Sequence, residues 1–189
     1  MSAKRHKTWQ NNGYILRPAC EADAEDYYGQ NYNPLAPETA RLTGSKAQFK
    51  KEEVISFFLQ SVREEDRYLF LLFSPEGRII GESVINEIDW GLRCANFRIA
   101  IYQQTQRGKG IGTWMTETIR DFAFTELKLH RLSLDVFSFN PRAERVYQKA
   151  GFRREGVLRE AVLDGGGYAD DILMAMLEEE WKALRETGG

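Results

Sequence analysis

Gln106-Arg107-Gly108-Lys109-Gly110-Ile111-Gly112-Thr113 lies between a run that reads as a strand and a run that reads as a helix. Its three glycines stand at alternate positions with basic residues among them. Glycine lets the backbone bend and lets a ligand approach it closely. A helix that begins here leaves its first N–H groups without partners, at the positive end of its dipole. Those are the requirements for holding a phosphate. The stretch is not a Walker loop, because no Lys-Ser or Lys-Thr pair follows at the required spacing. Nor is it the dinucleotide fingerprint, which needs a glycine where this chain has Thr113. Taken alone, the loop also reads as a flexible connection.

Working outward, the strand before the loop spans Arg93–Tyr102, with Phe97, Ile99 and Ile101 on one face and Arg98, Ala100 and Tyr102 on the other. The helix after it buries Ile111, Met115, Ile119 and Phe122. Leu132, Leu134 and Val136 alternate in a further strand, and a short helix follows Asn140 and closes at Gly151. Two last strands, Arg153–Leu163 and Tyr168–Leu177, read as a hairpin through Asp164-Gly165-Gly166-Gly167. Upstream, Tyr14–Arg17 is a strand stopped by Pro18, and Glu21–Gln30 is an acidic helix. A stripe of Val54, Phe58 and Val62 marks a helix over 48–63. Tyr68–Phe73 reads as a buried central strand, and Pro75-Glu76-Gly77 turns the chain into a strand over 78–88. Pro34, Pro37 and Gly44 mark 31–47 as loop. This order predicts a mixed α/β fold.

The chain of 189 residues is long enough for one domain with a real core. A hydrophobic content of 42% excludes a disordered chain. A net charge of −2 gives no general attraction to nucleic acid or anionic lipid, so neither partner is expected. No apolar run is long enough to span a bilayer and no signal peptide is evident, so the cytoplasm is expected. Cys20 and Cys94 are too few and too far apart for a disulfide framework or metal site, and no metal is expected. We read 1–13 as a flexible N-terminal segment carrying Lys4, Arg5, His6 and Lys7, 14–180 as a single domain, and 181–189 as a tail.

The loop gains meaning from Asn140-Pro141-Arg142-Ala143-Glu144-Arg145-Val146-Tyr147-Gln148-Lys149-Ala150-Gly151-Phe152, about 28 residues beyond. The pair resembles the acetyl-CoA signatures of the GNAT superfamily of acetyltransferases, Arg/Gln-x-x-Gly-x-Gly and then Asn-x-x-Ala-x-x-x-Tyr-x-x-x-Gly-Phe. Arg107, Gly110 and Gly112 occupy the first; Asn140, Ala143, Tyr147, Gly151 and Phe152 the second. The resemblance runs from Tyr14 to Leu177. It looks closest to the branch of ribosomal-protein and spermidine acetyltransferases, given Arg-Glu-Gly-Val-Leu-Arg-Glu from Arg154 and Asp-Gly at Asp164. It implies a central twisted mixed sheet flanked by helices, and acetyl-CoA as cosubstrate for N-acetyltransfer to a primary amine. A homodimer is also implied.

The resemblance further implies roles. The backbone from Arg107 through Gly108, Lys109, Gly110, Ile111 and Gly112 to Thr113 would carry the pyrophosphate, with Arg107 and Lys109 adding charge or remaining solvated. Ile99, Ala100 and Ile101 would pair with the pantetheine arm as an added strand does. Asn140 would hold the pantetheine amides, with small Ala143 permitting close approach. Tyr147 would protonate the departing thiolate, a phenol being neutral at pH 7 and able to donate. Asn140 and Tyr147 stand seven residues apart, so both can face one side of a helix; a capping Asn and a packed Tyr fit the same letters. An ammonium must lose a proton before it attacks. Glu82 and Glu87, with Asp89 and Asp135 behind them, are candidate bases, and each also reads as a surface carboxylate. Related enzymes place Glu near the start of the cofactor strand, where this chain has Ala95-Asn96-Phe97-Arg98. Nothing resembles an acylation triad, the histidines being His6 and His130 alone. A non-catalytic acyl-CoA sensor and a transferase of another acyl group are the competing readings.

Overall fold

The computed structural model describes residues 7–187. They divide into two compact units that exchange the chain in mid-strand: residues up to Asn86 with Arg98–Gly112, and Glu87–Phe97 with Thr113 onward. The expected span of 14–180 therefore comprises both.

In the first unit the strand order is β1 (Trp9–Asn11), β2 (Tyr14–Pro18), β3 (Tyr68–Phe73), β4 (Ile79–Asp89) and β5 (Cys94–Ile101), the last two continuing into the second unit. β1, β2, β3 and β4 are antiparallel in succession. Residues 1–13 are thus not a flexible segment throughout. Trp9–Asn11 pairs with β2, and Trp9 sets its ring edge on Phe70 at 5.7 Å. The cause is Asn12-Gly13, at φ 49° and 82°, a two-residue turn whose positive dihedrals match the twist of a hairpin. The basic residues Lys4, Arg5 and His6 lie outside the described residues.

Among the described residues, three α-helices belong to this unit: α1 (Ala24–Asn31), α2 (Pro37–Thr43) and α3 (Lys51–Arg63). The expectation of a loop over 31–47 fails at α2. Pro37 occupies the first helical turn, where its missing N–H costs nothing, and Gly44 ends the helix at φ 64°. The residues read as breakers are its start and stop. Tyr27, Ala40, Val54 and Phe58 from the helices and Leu35 between α1 and α2 join Leu71 and Ile79 from the strands, and Tyr102 just after β5, in one buried cluster. On β4, Gly81 lies against β5: a Cβ there would meet the carbonyl oxygen of Ala100 at 2.5 Å.

In the second unit the order is β5, β6 (Arg131–Phe137), β8 (Gly167–Leu177) and β7 (Arg153–Asp164). β5 and β6 are parallel and the rest antiparallel. With β1 to β4 the chain is therefore a mixed, mostly antiparallel α/β protein of eight strands, among the described residues. The β7–β8 turn is Gly165-Gly166, at φ 58° and 88°. Met115, Ile119 and Phe122 of α4 (Ile111–Thr125) are buried, as are Leu132, Leu134 and Val136 of β6 and Ile172, Met174 and Met176 of β8. The alternation places all six strand residues on one face. α5 spans Pro141–Lys149 and α6 spans Glu178–Thr187.

The expected tail over 181–189 is largely α6. Trp181 is buried, stacks on Phe124 at 5.4 Å and donates its indole N–H to Asp121 Oδ1 at 2.8 Å. Residues 188 and 189 lie outside the described residues. No described helix is long and apolar enough to cross a membrane.

Candidate active site

The glycine loop begins with a 3-10 turn at Gln104–Gln106 and ends where α4 starts at Ile111. Gly108 and Gly110 both adopt φ 80°, a backbone that side chains other than glycine seldom tolerate. A Cβ added to either would meet nothing within 4 Å, so the space over these peptides is open. Gly112 lies within the first turn of α4. An exposed, glycine-lined helix entrance fits a diphosphate chemically. Gln106 Oε1 accepts from the Tyr14 hydroxyl at 3.0 Å and from Lys109 Nζ at 3.0 Å, which ties the loop to β2.

Arg107 behaves differently from a free phosphate ligand. Its Nε and Nη2 donate to the Ile101 carbonyl at 3.1 and 2.9 Å. Nη2 also reaches Thr39 Oγ1 at 2.9 Å, and Nη1 pairs with Glu38 at 2.7 Å. Its side chain is only 10% exposed. The guanidinium thus fastens the loop to the end of β5 and to α2, and Glu38 neutralises its charge. Lys109 is exposed.

Ile99, Ala100 and Ile101 are half-buried near the end of β5. In the second unit the parallel pairing of β5 with β6 covers Cys94↔Arg131, Ala95↔Leu132 and Asn96↔Ser133, stopping short of Phe97. The Asn96 side-chain oxygen is buried without a hydrogen-bond partner.

Asn140 caps α5: its Oδ1 accepts from the Ala143 N–H at 3.2 Å. The cap uses the oxygen and leaves the amide NH2 as donor. Ala143 is half-buried one turn on. α5 ends in a Schellman motif, with Gly151 N–H to Gln148 O at 3.0 Å, Phe152 N–H to Tyr147 O at 2.9 Å, and Gly151 at φ 92°. That reversal turns Phe152 back beside the helix. Tyr147 meets Phe97 at 6.4 Å and Phe152 at 6.1 Å, both edge-on, while Phe97 and Phe152 stack at 6.0 Å. Burial, reinforced by the charge of Asp135, pushes the Tyr147 phenol well above its ordinary range. It therefore keeps its proton at any working pH.

The candidate bases separate clearly. Glu82 Oε2 accepts from the Tyr27 hydroxyl at 2.6 Å. Tyr102 donates to the Tyr27 oxygen at 3.1 Å, and the Tyr32 hydroxyl stands 3.0 Å from that of Tyr27 and 3.4 Å from that of Tyr102. Glu87 is exposed at φ 54°. Asp89 accepts the N–H groups of Gly91 and Leu92 at 2.8 and 2.9 Å, holding the β4–β5 turn. Asp135 is exposed on β6; burial, and then the charge of Asp135, pushes the Asp171 carboxyl up. The acidic helix is mostly paired: Glu21 with Arg63, Asp23 with Arg17 and Glu25 with Lys51. No group of three or more His, Cys, Asp or Glu side chains is arranged for a metal ion among the described residues.

Sequence reasoning missed Tyr27, Tyr32 and Tyr102 as a group, and Glu38, Thr39 and Gln106 as holders of the loop. The available signal was Tyr27 itself, an aromatic residue at the centre of an acidic helix.

The first unit carries an open glycine turn at a helix entrance and the second a capped helix with a buried phenol, the kinds of part an acyl-CoA-dependent transferase uses. The sequence profile of the acetyltransferase (GNAT) domain matches residues 14–153. The probable N-acetyltransferase YjcK of Bacillus subtilis strain 168 is 32% identical over 127 residues, 67% of this chain and 70% of its own. A spermidine N(1)-acetyltransferase of Vibrio cholerae is 29% identical over 130 residues, 69% of this chain and 75% of its own. The crystal structure of the Vibrio cholerae spermidine N-acetyltransferase in complex with CoA and spermine superposes with a TM-score of 0.80 at 25% identity, covering 91% of this chain and 99% of that one. The chain belongs to the GNAT acetyltransferase family. It is an N-acetyltransferase whose cosubstrate is acetyl-CoA.

Proposed function

We propose that this enzyme passes the acetyl group directly to a primary amine in a ternary complex, and that polyamines are its first acceptor class. The observation that carries the reading is Glu82, a carboxylate gripped by a buried phenol at 2.6 Å on the sheet face that carries the helices. An ammonium is the complementary partner of such a group. Likeness to a protein whose crystals hold CoA and spermine supports it.

In this reading the amides from Gly108 to Thr113 hold the diphosphate, and Gly108 and Gly110 keep the approach clear. The NH2 of Asn140 and the backbone of Ile99–Ile101 hold the pantetheine arm. Arg107 supports the loop from behind rather than adding charge to it. Glu82, favoured over exposed Glu87, takes one proton from the ammonium. The freed nitrogen attacks the thioester carbon, the C–S bond breaks, and the sulfur receives the Tyr147 proton. The second proton lost by nitrogen restores the phenol, so that acetamide, free thiol and one proton on Glu82 balance the step. A homodimer and residence in the cytoplasm belong to the same proposal.

Thiol release from acetyl-CoA, measured across spermidine, spermine, a peptide with a free N-terminus, an amino sugar and an amino acid, tests it. Rapid release with the polyamines is the expected result. Release with the peptide alone would move the acceptor to a protein N-terminus. Tight CoA binding without release from any amine would overturn the enzyme reading in favour of a sensor.

A further inference from the structure

Glu82 pairs with Leu71 of β3, so its side chain shares the face of the sheet on which Leu71 joins the buried cluster. A carboxylate in such a place must be hydrogen-bonded or lose its charge. Each neighbouring phenol has one hydrogen to give. That of Tyr27 goes to Glu82, that of Tyr102 to Tyr27, and Tyr32 lies within reach of both. The hydrogens therefore point in one direction, toward the carboxylate, and each bond polarises the next.

We infer that Tyr27 is a positioning residue for proton removal: its hydroxyl fixes Oε2 of Glu82 and leaves Oε1 as the atom offered to the acceptor's ammonium. This rests on reading Glu82 as the base. Tyr27 has little freedom to turn away, since its ring packs on Phe58 of α3 at 4.6 Å and on Tyr32 at 5.1 Å. Tyr102 is fixed in turn, its carbonyl accepting from Thr39 of α2 at 3.0 Å. The groups facing Glu82 are then Leu71 from β3, Tyr27 from α1, Tyr32 just beyond it and Tyr102 after β5. The charge of Arg98 on β5 reaches Tyr32. Burial and the charge of Glu82 push the Tyr27 phenol well up, so it remains a donor and takes no proton from the reaction. The proton passes from the ammonium nitrogen to Oε1 and goes no further.

The test is kcat and the KM values for spermidine and acetyl-CoA, each at saturating cosubstrate, for the full chain and for Tyr27→Phe, Tyr102→Phe and Glu82→Gln. Tyr27→Phe frees Oε2, so kcat should fall about tenfold while the KM for acetyl-CoA hardly moves. Tyr102→Phe should lower kcat by less. An unchanged kcat, or a loss carried by KM alone, in Tyr27→Phe overturns the inference. Glu82→Gln tells the two readings apart. If it lowers kcat by at least about tenfold while Tyr27→Phe leaves kcat unchanged, Glu82 stays the base and Tyr27 loses its role; if it leaves kcat unchanged, both fall.

Discussion

Arg107 and Ile101 are joined through one carbonyl oxygen, which receives both Nε and Nη2 of the guanidinium at 3.1 and 2.9 Å. The cation of the signature thus closes the path from strand to glycine loop. Replacing it with Gln should cost about 2–3 kcal/mol, because a charged group's hydrogen bonds are lost and Glu38 is left unpaired. Glu38→Gln should cost less than about 1 kcal/mol, its side chain being 40% exposed. Urea titration of both variants checks the ranking.

Gly108→Ala and Gly110→Ala each force a side chain into φ 80°, at about 1–2 kcal/mol. The protein itself offers no clash within 4 Å, so any further effect reports on a ligand. We expect CoA affinity to fall at least about tenfold in either variant. Gly165→Ala, strained likewise at φ 58° in the β7–β8 turn, should leave it unchanged. Calorimetric titration with CoA separates the two.

Tyr147→Phe keeps the ring that Phe97 and Phe152 pack against and removes only the hydroxyl. Turnover should fall by about 10²-fold, the usual contribution of a placed acid. The KM for acetyl-CoA should hardly move. Steady-state kinetics decides it, and unchanged turnover removes Tyr147 from the chemistry.

Alkaline pH should weaken the fold. Burial, then the charge of Glu82, pushes the Tyr32 phenol from 10 up to about 12. Its folded pKa is raised, so its contribution is complete below pH 10 and is lost as pH climbs through 12. For this residue alone the loss is on the order of 2–3 kcal/mol. Tyr27 and Tyr102 shift in the same direction. The urea midpoint should fall between about pH 10 and pH 12, and Tyr32→Phe should blunt that fall.

Most of the fold was legible because its signals are local and periodic. Ile111, Met115, Ile119 and Phe122 gave the face of α4, and Leu132, Leu134 and Val136 that of β6; all seven are buried. Where reading failed, the same residue types served the opposite purpose. Pro37 and Gly44 start and stop α2 instead of breaking it, and Asn12-Gly13 turns a hairpin inside a segment taken as loose. Of the candidate site, the glycines and the Asn140–Tyr147 helix were legible through their resemblance to the two family signatures. The tyrosine group could not. Tyr27, Tyr32 and Tyr102 are separated by up to 75 residues and meet only through tertiary packing, which no periodicity records.

The interleaving of the two units has a consequence for synthesis. Every residue of the first is present once the chain reaches Gly112, whereas Glu87–Phe97 must wait for β6 and the β7–β8 hairpin before its own unit can close. A nascent chain therefore exports half of β5 ready to dock and holds the other half in suspense, and a ribosome stalled between those points would display an orphaned strand edge to whatever chaperone is nearest.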